Sequence, residues 1–138
     1  MGAWDYGIFD DDTAYDFTNE ITENAKEFFK QSFENAISSD YLEYDDCHAV
    51  TVSSAYLDNY INGTKYRTDS EDENDMSNVN NFKRLYKDSN LDDLKPLAVK
   101  ALQVVIGEKS ELNELWSDNE ELYPKWKENL EGLIGRLK

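Results

Sequence analysis

Apolar residues recur at helical spacing along most of the chain. From Thr13 to Ser38, Ala14, Phe17, Ile21, Ala25, Phe28, Phe29 and Ala36 form one stripe. Asp16, Glu20, Glu23, Glu27 and Glu34 form its wet side, with Lys26 and Lys30 spaced to pair with Glu23 and Glu27. Asp11, Asp12 or Thr13 is placed to cap this helix. Ser38-Ser39-Asp40 reads as a break. A second helix is expected from Glu43 to Tyr60, with Cys47, Val50, Ser54, Leu57 and Ile61 on one face. Ala49-Val50-Thr51-Val52 carries some strand character within it. Asn62-Gly63 ends it, with Gly63 as a left-handed cap.

A short helix is expected over Asn78 to Lys87. The span Asp93 to Ile106 is apolar nearly all round, and that marks it as the central, most buried helix. Pro96 sets its start and Gly107 its stop. Ser110 caps a short helix through Trp116. A last helix runs from Pro124 to Leu137, with Trp126, Leu130, Leu133, Ile134 and Leu137 as a clean stripe and Gly132 and Gly135 placed for close packing of a neighbour. Residues 1–12, with Trp4, Tyr6, Ile8 and Phe9, read as an ordered aromatic opening segment. The expected architecture is all-α: one compact helical bundle of about five helices spanning 1–138, with 64–78 as an acidic loop or insertion.

Charge changes this picture in one respect. The 138 residues carry a net charge of −16. Residues 1–75 hold 19 acids against 4 bases, whereas residues 76–138 hold 11 against 10. Such a chain repels nucleic acid and anionic membrane surfaces and favours a basic partner, a cation or water. Cys47 is the only cysteine, so no internal disulfide forms. The N-terminus lacks the basic start and apolar core of a secretory signal, and no run approaches the roughly 18 apolar residues of a membrane span. A cytoplasmic protein is expected.

The chemistry-bearing residues are few. Asp45-Asp46-Cys47-His48 cannot converge on one metal, because adjacent residues point around a helix. Cys47 reads as a small core residue and His48 as a surface residue or a support to a site. The loop at Asp69 fails the calcium-loop pattern, with Asn74 and Asn80 where Gly and Glu are needed. Asp10, Asp11, Asp12 and Asp16 are explained by a helix start as well as by acid–base work. No catalytic residue, cofactor-binding residue or metal ligand is assigned.

Two phrases resemble a known family. They are Met-Gly-Ala-Trp-x-x-Gly-x-Phe-x-x-Asp-x-Ala-x-Asp-Phe at residues 1–17, and Ser110-Glu111-Leu112-x-Glu114-Leu115-Trp116 followed by Trp126. Tyr41-Leu42-Glu43 and the Leu97–Ile106 helix match more loosely. Together they are similar to DUF4259, an uncharacterised bacterial family. This chain departs from it in Asp5, in Phe17 and in the acidic stretch after Gly63. The resemblance implies a cytoplasmic bacterial protein and transfers no catalytic residue.

Small size, acidity and the lack of a catalytic constellation lead to the expectation of a non-enzymatic binding protein. An immunity or antitoxin protein neutralising a basic bacterial toxin is the favoured form. The contact candidates are Asp40, Tyr41, Glu43, Tyr44, Asp45, Asp46, Tyr56, Tyr60, Tyr66, Asp69, Glu71, Asp72, Glu73 and Asp75. Tyr offers contact area at low entropic cost and carboxylates pair with Arg or Lys. The alternatives are a regulatory or structural interaction module, and an enzyme or cation binder built on the Asp10–Asp16 group or on His48.

Overall fold

The structure is a computed structural model, and it describes residues 7–9, 17–67, 74, 78–87 and 90–138. Among these residues it is all-α. Helix α1 spans Thr18–Ser38 and is interrupted at Asn24, whose φ −155 and ψ 69 are non-helical. Helix α2 spans Tyr44–Asn62. A 3₁₀ turn at Val79–Asn81 leads into the single turn α3, Phe82–Leu85. A second 3₁₀ turn at Asp92–Leu94 leads into α4, Lys95–Val105. Helices α5, Glu111–Ser117, and α6, Tyr123–Leu137, complete the bundle.

Several local expectations hold. Gly63 sits at φ 74 and donates its N–H to Asn59 O at 2.8 Å, closing α2 with a left-handed cap that favours glycine. The Ser110 hydroxyl accepts from Asn113 N at 3.2 Å at the start of α5. The α6 stripe of Trp126, Leu130, Leu133, Ile134 and Leu137 is buried throughout. Ile8 and Phe9 are buried, so the described part of the opening segment anchors as expected. Ala49–Val52, which hinted at strand, is helical.

The centre of the bundle is displaced from where hydropathy puts it. The strongly apolar α4 buries Ala98, Ala101, Leu102 and Val105, while Leu97, Val99, Val104 and Ile106 are only half-buried. The most buried helix is α2, in which every residue from Cys47 to Asn59 is buried. The reason is topological: α2 packs against α1, α3, α4, α5 and α6, so all sides of its middle are covered. Thr51, Ser53, Ser54, Asp58 and Asn59 are buried with its apolar residues. The side-chain oxygens of Ser53 and Ser54 are buried with no hydrogen-bond partner among the described residues.

The glycines of α6 do not serve close packing. A Cβ at Gly135 would meet nothing within 4 Å, and one at Gly132 would meet only the flexible tip of Arg136. The described flanks of the acidic stretch are fastened. Tyr66 N donates to Asn80 Oδ1 and Asn80 Nδ2 to Tyr66 O, each at 2.7 Å. Asn59 Oδ1 receives Lys83 N at 2.9 Å, tying α2 to α3. Every described helix contributes to one continuous buried core.

Candidate interaction surface

The connection between α1 and α2 builds an exposed face. Helix α1 stops at Ser38, and the hydroxyls of Ser38 and Ser39 close its end by bonding Asn35 O at 3.3 and 2.6 Å. The chain then runs extended, which places successive side chains on opposite sides. Tyr41 and Glu43 point outward and Leu42 is fully buried. Leu42 is held from both sides, donating its N–H to Lys109 O at 2.7 Å and accepting Glu111 N at 2.9 Å. This bridge sets the N-termini of α2 and α5 side by side. Glu111 Oε1 then accepts Tyr44 N at 2.7 Å, filling the cap that Glu43 does not supply to α2.

Beneath the face, Cys47 Sγ approaches Leu42 O at 3.6 Å and Ser110 Oγ at 3.3 Å. Burial pushes the Cys47 thiol above its ordinary value, which disfavours the thiolate. Above them stands Tyr41, 45% exposed, with Ile37 at 40%; these are the exposed large hydrophobics among the described residues. The Tyr41 hydroxyl donates to Glu114 Oε2 at 3.0 Å, which fixes the direction of the ring. Desolvation, that hydrogen bond and the charges of Glu114 and Glu111 push the phenol up to about 12. Segments 37–46 and 108–114 carry Asp40, Glu43, Asp45, Asp46, Glu108, Glu111 and Glu114 against one base, Lys109. The positive ends of two helix dipoles tolerate this density of carboxylate.

The structure therefore brings together Asp40, Tyr41, Glu43, Tyr44, Asp45 and Asp46. It adds Glu111 and Glu114, which the sequence reading placed in a short helix and in the family phrase but not among the contact candidates. The other tyrosines lie elsewhere. Tyr60 is sixteen residues beyond Tyr44 on α2, about 24 Å along the axis at about 1.5 Å per residue. It is half-buried against Phe82 and Tyr86. Tyr56 is no contact residue: it is fully buried, packed among Phe9, Phe29 and Phe82. Tyr66 turns inward to a buried carboxylate. Asp69, Glu71, Asp72, Glu73 and Asp75 lie outside the described residues, as do Trp4, Tyr6, Asp10, Asp11, Asp12 and Asp16.

His48 corrects its expectation too. It is 5% exposed, with its ring 4.6 Å from that of Tyr44, and is neither at the surface nor beside Asp45 and Asp46, which face out. Among the described residues no group of three or more His, Cys, Asp or Glu could hold a metal ion. No described helix is long and apolar enough to cross a membrane.

The buried charge cluster among the described residues, around Asp58, is structural. Asp58 has no exposed surface and receives Arg136 Nε at 2.9 Å, Tyr66 OH at 2.7 Å and Asn62 Nδ2 at 2.7 Å. Burial alone would raise its carboxyl, but the hydrogen bonds from Asn62, Tyr66 and Arg136 and the guanidinium charge outweigh that and hold it below the ordinary carboxylate value. Burial and the Asp58 carboxylate push Tyr66 up in turn. A carboxylate fixed as the anion by three donors is a poor proton carrier near neutrality. It ties α2, α6 and residue 66 together. The sequence signal was present, as a charge amid the buried run Ala55-Tyr56-Leu57-Asp58-Asn59.

Comparison with known proteins adds a family. The family model described as "Domain of unknown function (DUF4259)" matches residues 2–129. No curated protein and no solved structure matches the chain.

Proposed function

The chain belongs to the DUF4259 family, and because that family has no described function, we propose from physical chemistry that this member is a binding protein for a basic protein partner, engaged through the Tyr41 face. The form favoured is a bacterial cytoplasmic immunity protein that neutralises a basic toxin. The observation that supports it most is Tyr41, a large exposed ring held by Glu114 beside the Glu111 charge, in a chain segment where Asp40, Glu43, Asp45 and Asp46 are also exposed. An exposed aromatic anchor gives contact area at low entropic cost, and a surrounding ring of carboxylates pairs with Arg or Lys. A net charge of −16 speeds the encounter with a cationic protein and repels polyanions.

The test is retention of a partner from the source bacterium on immobilised protein at low and moderate salt, comparing wild type with Tyr41→Ala and with Asp45→Asn/Asp46→Asn. A basic protein retained by wild type, released by salt and lost in both variants supports the reading. Retention that ignores these substitutions, or the absence of any basic partner at either salt, overturns it.

A further inference from the structure

A groove of about 420 Å³ runs between α1 and α2 and includes Asp46, five residues after Tyr41 in the chain. Its size is that of a small-ligand site. At one end Phe17 and Phe28 meet edge to face, ring centroids 5.4 Å apart and planes at 89°. Glu27, Gln31 and Asn35 line it from α1 and Asp46 from the first turn of α2. Gln31 Nε2 donates to Glu27 Oε1 at 2.8 Å, holding that carboxylate in place. No lysine or arginine lines the groove among the described residues.

Resting on the reading above, we propose that this groove receives the guanidinium of an arginine side chain carried by the protein partner. An aromatic pair, a carboxylate and carboxamide oxygens match a planar cation with five donors, and the second carboxylate adds to its attraction. A guanidinium stacks on a ring and forks onto a carboxylate, which a compact ammonium does neither as well. The net negative field of the chain raises the local concentration of such a group. Asp46 lies five residues after Tyr41 in the chain, so an arginine in the groove would sit near contacts made at Tyr41.

The experiment is an NMR titration of the full chain with arginine blocked at both ends, with blocked citrulline as the neutral isostere, and with free arginine. Saturable amide shifts at residues 27–35 and 46–49 with blocked arginine, absent with blocked citrulline, are expected. Glu27 and Asp46 are exposed, so Glu27→Gln and Asp46→Asn should keep the wild-type melting temperature. Each should weaken blocked arginine about tenfold, the effect of losing one charge-assisted bond. No saturable shift, or equal shifts with citrulline, overturns the proposal. Free arginine binding more than about tenfold tighter than the blocked form also overturns it, because the groove would then read a free amino acid. None of these outcomes depends on Tyr41, and Tyr41→Ala alters the partner face without touching a groove residue, so the two readings fail separately.

Discussion

Asp58, near the end of the buried run of α2, accepts Arg136 Nε at 2.9 Å from a residue 78 positions later, at the last turn of α6. The acid has no exposed surface, whereas the Arg136 side chain is 38% exposed. That asymmetry sets unequal consequences for the two partners. Asp58→Ala leaves Tyr66 and Asn62 without their acceptor and unlinks α6, and should cost about 3–5 kcal/mol by chemical denaturation. Arg136→Ala leaves the carboxylate its two donors Tyr66 and Asn62 and opens to water the space that the part-exposed arginine filled, and should cost about 1–3 kcal/mol. Equal small losses would show that the pair does not hold α6.

The same carboxylate gives a pH dependence with a definite sign. Its folded value lies below the ordinary Asp value of 3.8. The unfolded state therefore binds the proton more readily, and stability rises with pH through this region. The contribution is fully present above the unfolded value and is lost as pH falls through the folded one. Wild type should lose stability below about pH 4 more steeply than Asp58→Asn does. Parallel acid limbs in the two proteins would contradict the assignment.

Ser53 and Ser54 offer the opposite case, a gain from removing polarity. Each hydroxyl is buried with no hydrogen-bond partner among the described residues. Replacement by Ala removes the desolvation penalty and one γ-oxygen of volume. Ser53→Ala or Ser54→Ala should be neutral to about 1 kcal/mol stabilising. A loss above about 1 kcal/mol would mean that the hydroxyls are satisfied, for instance by ordered water.

Trp116 and Trp126 stack with centroids 6.2 Å apart and planes at 15°, and each is only 4% exposed. This stack joins α5 to α6. Trp116→Ala or Trp126→Ala should cost about 3–5 kcal/mol, measured as a shift of the denaturant midpoint at unchanged slope. A change under about 1 kcal/mol would place the core elsewhere.

Gly63 tests the cap of α2. At φ 74 a Cβ meets nothing closer than Lys83 Nζ at 3.9 Å, so the cost of Gly63→Ala is conformational rather than steric. It should destabilise by about 1–2 kcal/mol, and Gly63→Asn by less. Equal losses from Ala and Asn would point to a lost contact instead.

The chain itself specified its helices, because each carries its own local signals: Pro96 near a start, Ser110 at a cap, Gly63 past an end, and the Trp126 to Leu137 stripe at helical spacing. It also specified the acidity of Asp40–Asp46, and the phrases at its two ends identified the family. Which helix sits at the centre was decided only in three dimensions, since burial of α2 follows from how many neighbours surround it and not from its own hydropathy. The candidate surface divides in the same way. Asp40 to Asp46 are contiguous and were legible, but Glu111 and Glu114 join them only because Leu42 pairs with the 109–111 backbone. Tyr56, Tyr60 and Tyr66 look alike as residues, yet they were sorted into core, half-buried packing and a carboxylate partner by what the other helices bring against them. A residue type states what a side chain can do, while long-range packing decides which of those contacts is within reach.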